Sequence, residues 1–351
     1  MSILPYRTSD LPGVGGRIKV EPEDFLVEEI PAYRPSGDGD HLYLWIEKRD
    51  LSHEFLLRHL ARALDISPRD IGTAGIKDRR AVTRQWISMP RSVESRLAQL
   101  DLVGLRILQT ATHTNKLKTG HLKGNRFRIR IRDTETDALS AAERIAETLR
   151  LYGFPNYYGG QRFGRDGDTL RAGWRVLTGK VRPQRRDSRL RLQLSAVQSH
   201  LFNECLRRRI DDGLLDRVLP GDVMQVVETG GLFVVEDETT EQSRATTGET
   251  VVTGPLFGPK MKAAEGEVAA REATVLTESG LRVQNFERFK KLTRGARRAY
   301  LIRPDELAVE WGEHGILVSV TLPPGSYATV LLRELMKGES DLESVSPDSS
   351  S

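Results

Sequence analysis

From Ala74 to Trp86 the chain reads AGIKDRRAVTRQW. One carboxylate, Asp78, stands among four cations, Lys77, Arg79, Arg80 and Arg84, three residues after Gly75, which is expected to free the backbone to turn. Nearby positive charge favours the ionised form of a carboxylate, and an ionised carboxylate suits a nucleophile or a base better than a proton donor. The same residues would also serve as a plain turn salt bridge, so the surrounding sequence has to decide.

Upstream, Arg17 to Ile30 (RIKV, a turn over Glu21 to Asp24, then FLVEEI) predicts a hairpin, and HLYLWIEK (His41 to Lys48) predicts a strand rich in aromatic and β-branched residues. Ser52 is placed to cap a helix whose Leu56, Leu60 and Leu64 share a face. Pro68 closes that region, and Gln85 to Met89 reads as a short strand. Downstream, Arg126 to Arg132 (RFRIRIR) alternates strictly, setting Phe127, Ile129 and Ile131 on one side and four arginines on the other. A helical pattern over 135–151 stops at Gly153. The character changes at Phe154: a glycine-rich aromatic connection (PNYYGGQRFGRDGD), a basic stretch, a helix opening at Ser195, and short β-like runs from Gly221 to Pro259. Strand character returns after Pro304 in GILVSVTL, followed by a last helix, YATVLLRELM. The pattern predicts a second domain of residues 154–303 inserted into a first one, 1–153 with 304–337. The serine-rich acidic stretch 338–351 reads as a disordered tail.

With 351 residues, 38% hydrophobic and 29% charged, the chain has ordinary globular composition and room for about two domains. A lone cysteine, Cys205, excludes an internal disulfide and a cysteine-based zinc cluster, and suits a cytoplasmic setting. No signal peptide or membrane-spanning run is visible. The net charge of +4 says little, but its distribution says more. His113 to Arg132 holds three lysines and four arginines without an acid; Arg171 to Arg191 holds seven arginines and one lysine; a third run surrounds KKLTRGARR. Any one run reads as a solvated face, whereas three, interleaved with Phe127, Tyr157, Tyr158 and Phe163, lean towards a surface that follows phosphates and stacks bases.

Metal and nucleotide motifs fail on spacing. The histidines of HEFLLRH, His53 and His59, are six apart and miss a shared helical face, and GVGGR precedes a strand where a dinucleotide fingerprint would open a helix. The sequence therefore predicts neither a metal nor a cofactor.

Six blocks in order, PEDFLVEE (Pro22 to Glu29), AGIKDRRAVTRQW, LKGNRF (Leu122 to Phe127), PNYYGGQRFG (Pro155 to Gly164), LSAVQSHLFN (Leu194 to Asn203) and LPPGSYATVLLREL (Leu322 to Leu335), resemble the TruD family of tRNA pseudouridine synthases. The resemblance implies an α+β fold: a catalytic domain on a mixed, mainly antiparallel sheet, interrupted by the family's insertion domain, with RNA in the cleft. It implies that Asp78 is the catalytic aspartate and that Lys19 is its basic partner. Phe25, Asn125 and Tyr327 would contact the target uridine, though Phe25 and Tyr327 alone would also pass as core and Asn125 as a turn residue. Lys77, Arg79, Arg126, Arg128, Gln161, Arg162 and Phe163 are candidate RNA contacts, the last three competing with a hinge role. The implied reaction turns uridine into pseudouridine in tRNA, at uridine 13 in the D-stem region, without cofactor, membrane or small-molecule partner, in a monomer. A non-catalytic RNA chaperone and a metal-dependent nuclease are the rival readings.

Overall fold

The computed structural model describes residues 4–135, 137–183 and 189–338. The expected disordered tail, from Glu339 onward, and residues 184–188 of the basic stretch lie outside the described residues.

The first part of the chain forms β1 (Phe25–Pro31), β2 (His41–Arg49), α1 (His53–Ala63), β3 (Gly72–Thr73), β4 (Val82–Pro90), β5 (Leu105–His113), β6 (Leu122–Ile131) and α2 (Ala138–Tyr152). The middle forms β7 (Phe154–Pro155), α3 (Asp168–Leu177), α4 (Leu190–Asp211), β8 (Val223–Val226), β9 (Leu232–Val234), α5 (Glu238–Thr247), β10 (Thr250–Leu256), α6 (Gly266–Glu278), α7 (Val283–Glu287) and β11 (Ala296–Ala299). The last part forms β12 (Leu301–Ile302), β13 (Asp305–Gly312), β14 (Gly315–Leu322) and α8 (Ala328–Met336).

An eight-stranded sheet runs in the order β13-β14-β6-β1-β4-β2-β5, with β3 also on β4. Within it only β1 and β4 pair in parallel. The fold is thus α+β around a mixed, mainly antiparallel sheet. Because β2 takes one edge of β4 along its whole length, β1 and β3 share the other: β1 pairs with Val82 to Arg84, and β3 with Ile87 and Ser88. The sheet opens between them, and the loop that carries Asp78 joins β3 to β4 at that opening. A separate four-stranded sheet, β11-β10-β8-β9, draws only on residues 223–299, while β7 and β12 pair where the chain leaves and returns.

The alternation of β6 places Phe127, Ile129 and Ile131 against Val27, Phe25, Val320 and Val318, under Ala142, Ile145 and Leu149 of α2 and Leu331 and Leu335 of α8. On the other face the arginines are largely matched across the sheet. Arg126–Glu28–Arg84–Glu47–Arg106 forms a ladder of alternating charge over β6, β1, β4, β2 and β5, and Arg130 and Arg132 converge on Asp24. The one-sided arginine strand is therefore chiefly a structural feature, and Arg128 alone of its four has no ion pair among the described residues.

Other expectations need correction. Arg17 to Ile30 is no hairpin: Arg17 makes a single bridge to Arg132, Lys19 turns out of extended geometry (φ 56), and β1 pairs with β6 and β4 instead. The helix expected to open at Ser195 begins at Leu190, α3 falls largely in the segment read only as a basic stretch, and α5 falls among the short β-like runs. No residue of α5 is buried, so it carries no apolar period to read; Asp237 caps it by accepting from Thr239 N and Thr240 N.

Candidate active site

Asp78 projects from the loop between β3 and β4 with 42% of its side chain exposed, and Lys19 Nζ donates to its Oδ1 at 3.0 Å from a nearly covered position. The distant Lys19 is thus an ion-pair partner of the carboxylate, while the adjacent Lys77 pairs with Glu29. Lys19 Nζ also lies 4.2 Å from the centroid of the Phe25 ring. A non-glycine residue at φ 56 costs about 1–3 kcal/mol and persists only where its surroundings enforce it. Here Arg17 exchanges backbone hydrogen bonds with Arg132 on one side, and on the other the fully buried Asp24 accepts from Glu21 N, Arg132 and Arg130. Burial pushes the Asp24 carboxyl up, but Arg132 and the Glu21 N–H outweigh it and hold it below the usual range.

Two further lysines mount the loop. Lys48, at 0% exposure on β2, donates to the carbonyl of Asp78 itself (2.6 Å) and to that of Leu51 (2.7 Å). Burial pushes its ammonium down to about 8, against the opposing pull of the Asp78 charge. Lys77, a candidate RNA contact from sequence, is buried and donates to Glu29 Oε2 at 2.8 Å. Glu29 also accepts from Trp86 N where β1 and β4 part, and burial raises its carboxyl despite Lys77. Gly75 is not required for the turn: its φ is not positive, and a Cβ there would meet only Lys77 Nζ at 3.6 Å, an ordinary contact.

Asn125 lies opposite Glu29 on β1 and Leu322 on β14, and its Oδ1 is buried with no hydrogen-bond partner among the described residues. It is a strand residue, not a turn. Such an atom costs about 1–3 kcal/mol unless a ligand meets it. Phe25 is 1% exposed and packs edge-on against Phe127, so it supports Lys19 from within the core. Tyr327 stands at the start of α8 beside Tyr158, its phenol pushed up by burial. No hydrogen bond, ion pair or ring contact joins it to Asp78, Lys19 or Asn125 among the described residues. Arg79 is exposed near Asp50, Gln161 is exposed, Arg162 bonds Ser199 and Ser195, and Phe163 is buried edge-on to His200.

Glu29, Lys48 and Asp24 went unassigned in the sequence. For Lys48 a signal existed: it follows Leu42, Leu44 and Ile46 on the buried face of β2, where a lysine is costly unless something accepts its protons. Among the described residues, no group of three or more His, Cys, Asp or Glu could hold a metal ion, and no helix is long and apolar enough to cross a membrane.

The chain matches the sequence profile of tRNA pseudouridine synthase D (TruD) over residues 3–183 and 186–335. It is 44% identical to tRNA pseudouridine synthase D of Anaeromyxobacter dehalogenans (strain 2CP-1) over 347 residues, covering 97% of this chain and 99% of that one. It is 46% identical to a protein of the same name from Thermus thermophilus, covering 95% and 92%. Among solved structures it resembles a Methanosarcina mazei protein provisionally described as tRNA pseudouridine synthase D (TruD), with TM-score 0.75, 26% identity and 96% of each chain covered.

Proposed function

As the chain belongs to the TruD family of tRNA pseudouridine synthases, and is thus a tRNA-modifying isomerase, we propose that it acts on uridine 13 in the D-stem region with Asp78 as the reacting carboxylate. The reading rests on a half-exposed carboxylate aimed by a covered ammonium: Asp78 on Lys19 at 3.0 Å, its own carbonyl fixed by Lys48. We further propose the division of the chain into a catalytic domain, 1–153 with 304–337, and an inserted domain, 154–303, with a monomer working in the cytoplasm.

The reaction breaks N1–C1′, turns the uracil, and joins C5 to C1′, while a proton leaves C5 and N1 ends protonated. Two routes suit a carboxylate here: attack on C1′, or removal of a ribose proton to give a glycal. In both, Lys19 aims Asp78. Asn125 Oδ1, facing no protein donor, is free to accept from the uracil N–H and keep the detached base from escaping. Taking the uridine out of its stack costs a few kcal/mol, and one aromatic face returns about 1–3 kcal/mol. Tyr327, partly exposed, is better placed for that than the buried Phe25.

The test compares the wild type with Asp78→Asn on a bacterial tRNA transcript, mapping pseudouridine chemically. Conversion at position 13 by the wild type, and its loss in the variant with tRNA binding kept, is expected. Full conversion by the variant rejects the assignment of Asp78; conversion at another position rejects the target.

A further inference from the structure

Arg162 and Arg298 converge on one ring. The guanidinium carbons lie 5.5 and 4.2 Å from the centroid of Tyr158, and Arg298 is also 5.9 Å from the ring of Tyr327. Arg162 donates to Ser199 Oγ (3.2 Å) and Ser195 Oγ (3.1 Å), and Arg298 to Asn156 O, Asn156 Oδ1 (2.5 Å) and Gly325 O (2.9 Å). Among the described residues neither forms a salt bridge, whereas nearby arginines are matched: Arg297 by Glu272 and Arg209 by Asp222. Partly buried cations in folded proteins are normally paired, because low-polarity surroundings penalise a lone charge. Two together compound the penalty: burial first, and the charge of Arg162 as well, disfavour the charged form of Arg298. Their donors reach neutral acceptors, so a nearby anion would offset a charge penalty that no acid among the described residues offsets.

The location names the anion. Gly325 follows Leu322 by three residues, a reach of about 10 Å in extended chain, and Leu322 pairs with Asn125 beside Glu29. The arginines therefore stand at the end of the strand that borders the candidate active site. Planar guanidinium forks match the geometry of phosphate oxygens, and phosphates are the charges that an RNA brings. We infer that Arg162 and Arg298, both held near the ring of Tyr158, clamp one backbone phosphate of the bound RNA, with Tyr327 beside Arg298. The clamp rests on the reading of tRNA as substrate.

The experiment measures binding of an unmodified tRNA transcript by wild type, Arg162→Gln, Arg298→Gln and the double variant between 50 and 200 mM KCl. Loss of one phosphate contact is expected to flatten the log–log salt slope of the double variant by about 0.7–0.9, and to shrink the fourfold-salt penalty by about threefold. A scan of neutral methylphosphonate linkages around the target uridine is expected to find one position that weakens the wild type and leaves the double variant unmoved. An unchanged salt slope in a double variant with wild-type thermal midpoint overturns the clamp, as does a methylphosphonate loss that adds fully to the arginine loss. Should Arg298→Gln unfold, Arg162→Gln carries the same comparison, since it gives up two serine hydroxyls and the edge of one ring contact. Pseudouridine formation by the wild type is scored on the same transcript: its absence with the slope effect intact sinks the proposed function and not the clamp.

Discussion

Lys48 spends a full positive charge on two carbonyl oxygens, one of them that of Asp78, and makes no salt bridge among the described residues. The charges that face it are Asp78 and Asp50, which favour its ammonium, and Lys77, which opposes it; the neighbouring His53 is itself driven towards neutrality by burial and by both lysines. Burial thus brings the proton loss of this group down to about pH 8. Between that value and the ordinary lysine value of about 10.4, the folded chain binds fewer protons than the unfolded one, so this group makes stability rise with pH. The loop loses its charged anchor over the same interval, and activity is expected to fall while stability does not. Single-turnover rates over pH 6 to 9.5 check this. The wild type is expected to decline above about pH 8, and Lys48→Met to be slower by roughly 10- to 100-fold, about 1.4–2.7 kcal/mol, with the alkaline decline gone. An undiminished decline in Lys48→Met assigns it to another group. At this scale the pairing of Asp78 with Lys19 was expected from the family resemblance, Asp78 lying in one of its blocks and Lys19 three residues before another. Lys48 was not assigned although its alternation with Leu42, Leu44 and Ile46 marks the buried face, because the carbonyls that accept its protons come from a loop that only the fold brings near.

Between elements, α3 packs closely on α4 at Gly173. A Cβ on Gly173 would lie 2.1 Å from Gln193 O and 2.9 Å from Val197 Cγ2, and the first of these is backbone that cannot swing aside. Gly173→Ala gains about 1 kcal/mol of helix propensity but forces the helices apart at about 1–3 kcal/mol or more. Because the oxygen sits far inside contact distance, the second term should win. Thermal unfolding is expected to shift down by a few degrees; a rise in the midpoint would show that α3 slides freely on α4. Nothing along the chain hinted at this contact. α3 falls in a stretch dominated by arginine and glycine, and the glycine needed for close packing looks the same as one needed for a turn. By contrast β2, β6, β14 and α1 were readable, because their apolar periods are strong and each buries the face that its pattern marks.

For the whole molecule, the two ends of the described chain close on each other. Glu334, 1% exposed, accepts from Arg7 N (2.9 Å), Thr8 N (3.1 Å) and Thr8 Oγ (2.7 Å), while Val14 N donates to Leu335 O. Truncating a buried acceptor strands its donors, so Glu334→Ala is expected to cost about 3 kcal/mol. It should lower the urea midpoint with little change of slope; an unmoved midpoint would mean that the N-terminal segment contributes nothing to the fold. Such closure could not be read from residues more than 300 positions apart. The strands with clear alternation were legible in the residues alone, because local periodicity records what each segment must bury, whereas the α+β class and the aspartate with its distant lysine were read from the resemblance of ordered motifs to a known family. Which charges are free emerged only in the folded arrangement. Three of the four arginines of β6 and its end are matched across the sheet, Lys77 is committed to Glu29, and Arg162 with Arg298 is left without an acid among the described residues. Whether a cation is paired depends on what other strands and loops bring within a few ångströms, which composition along the chain does not contain.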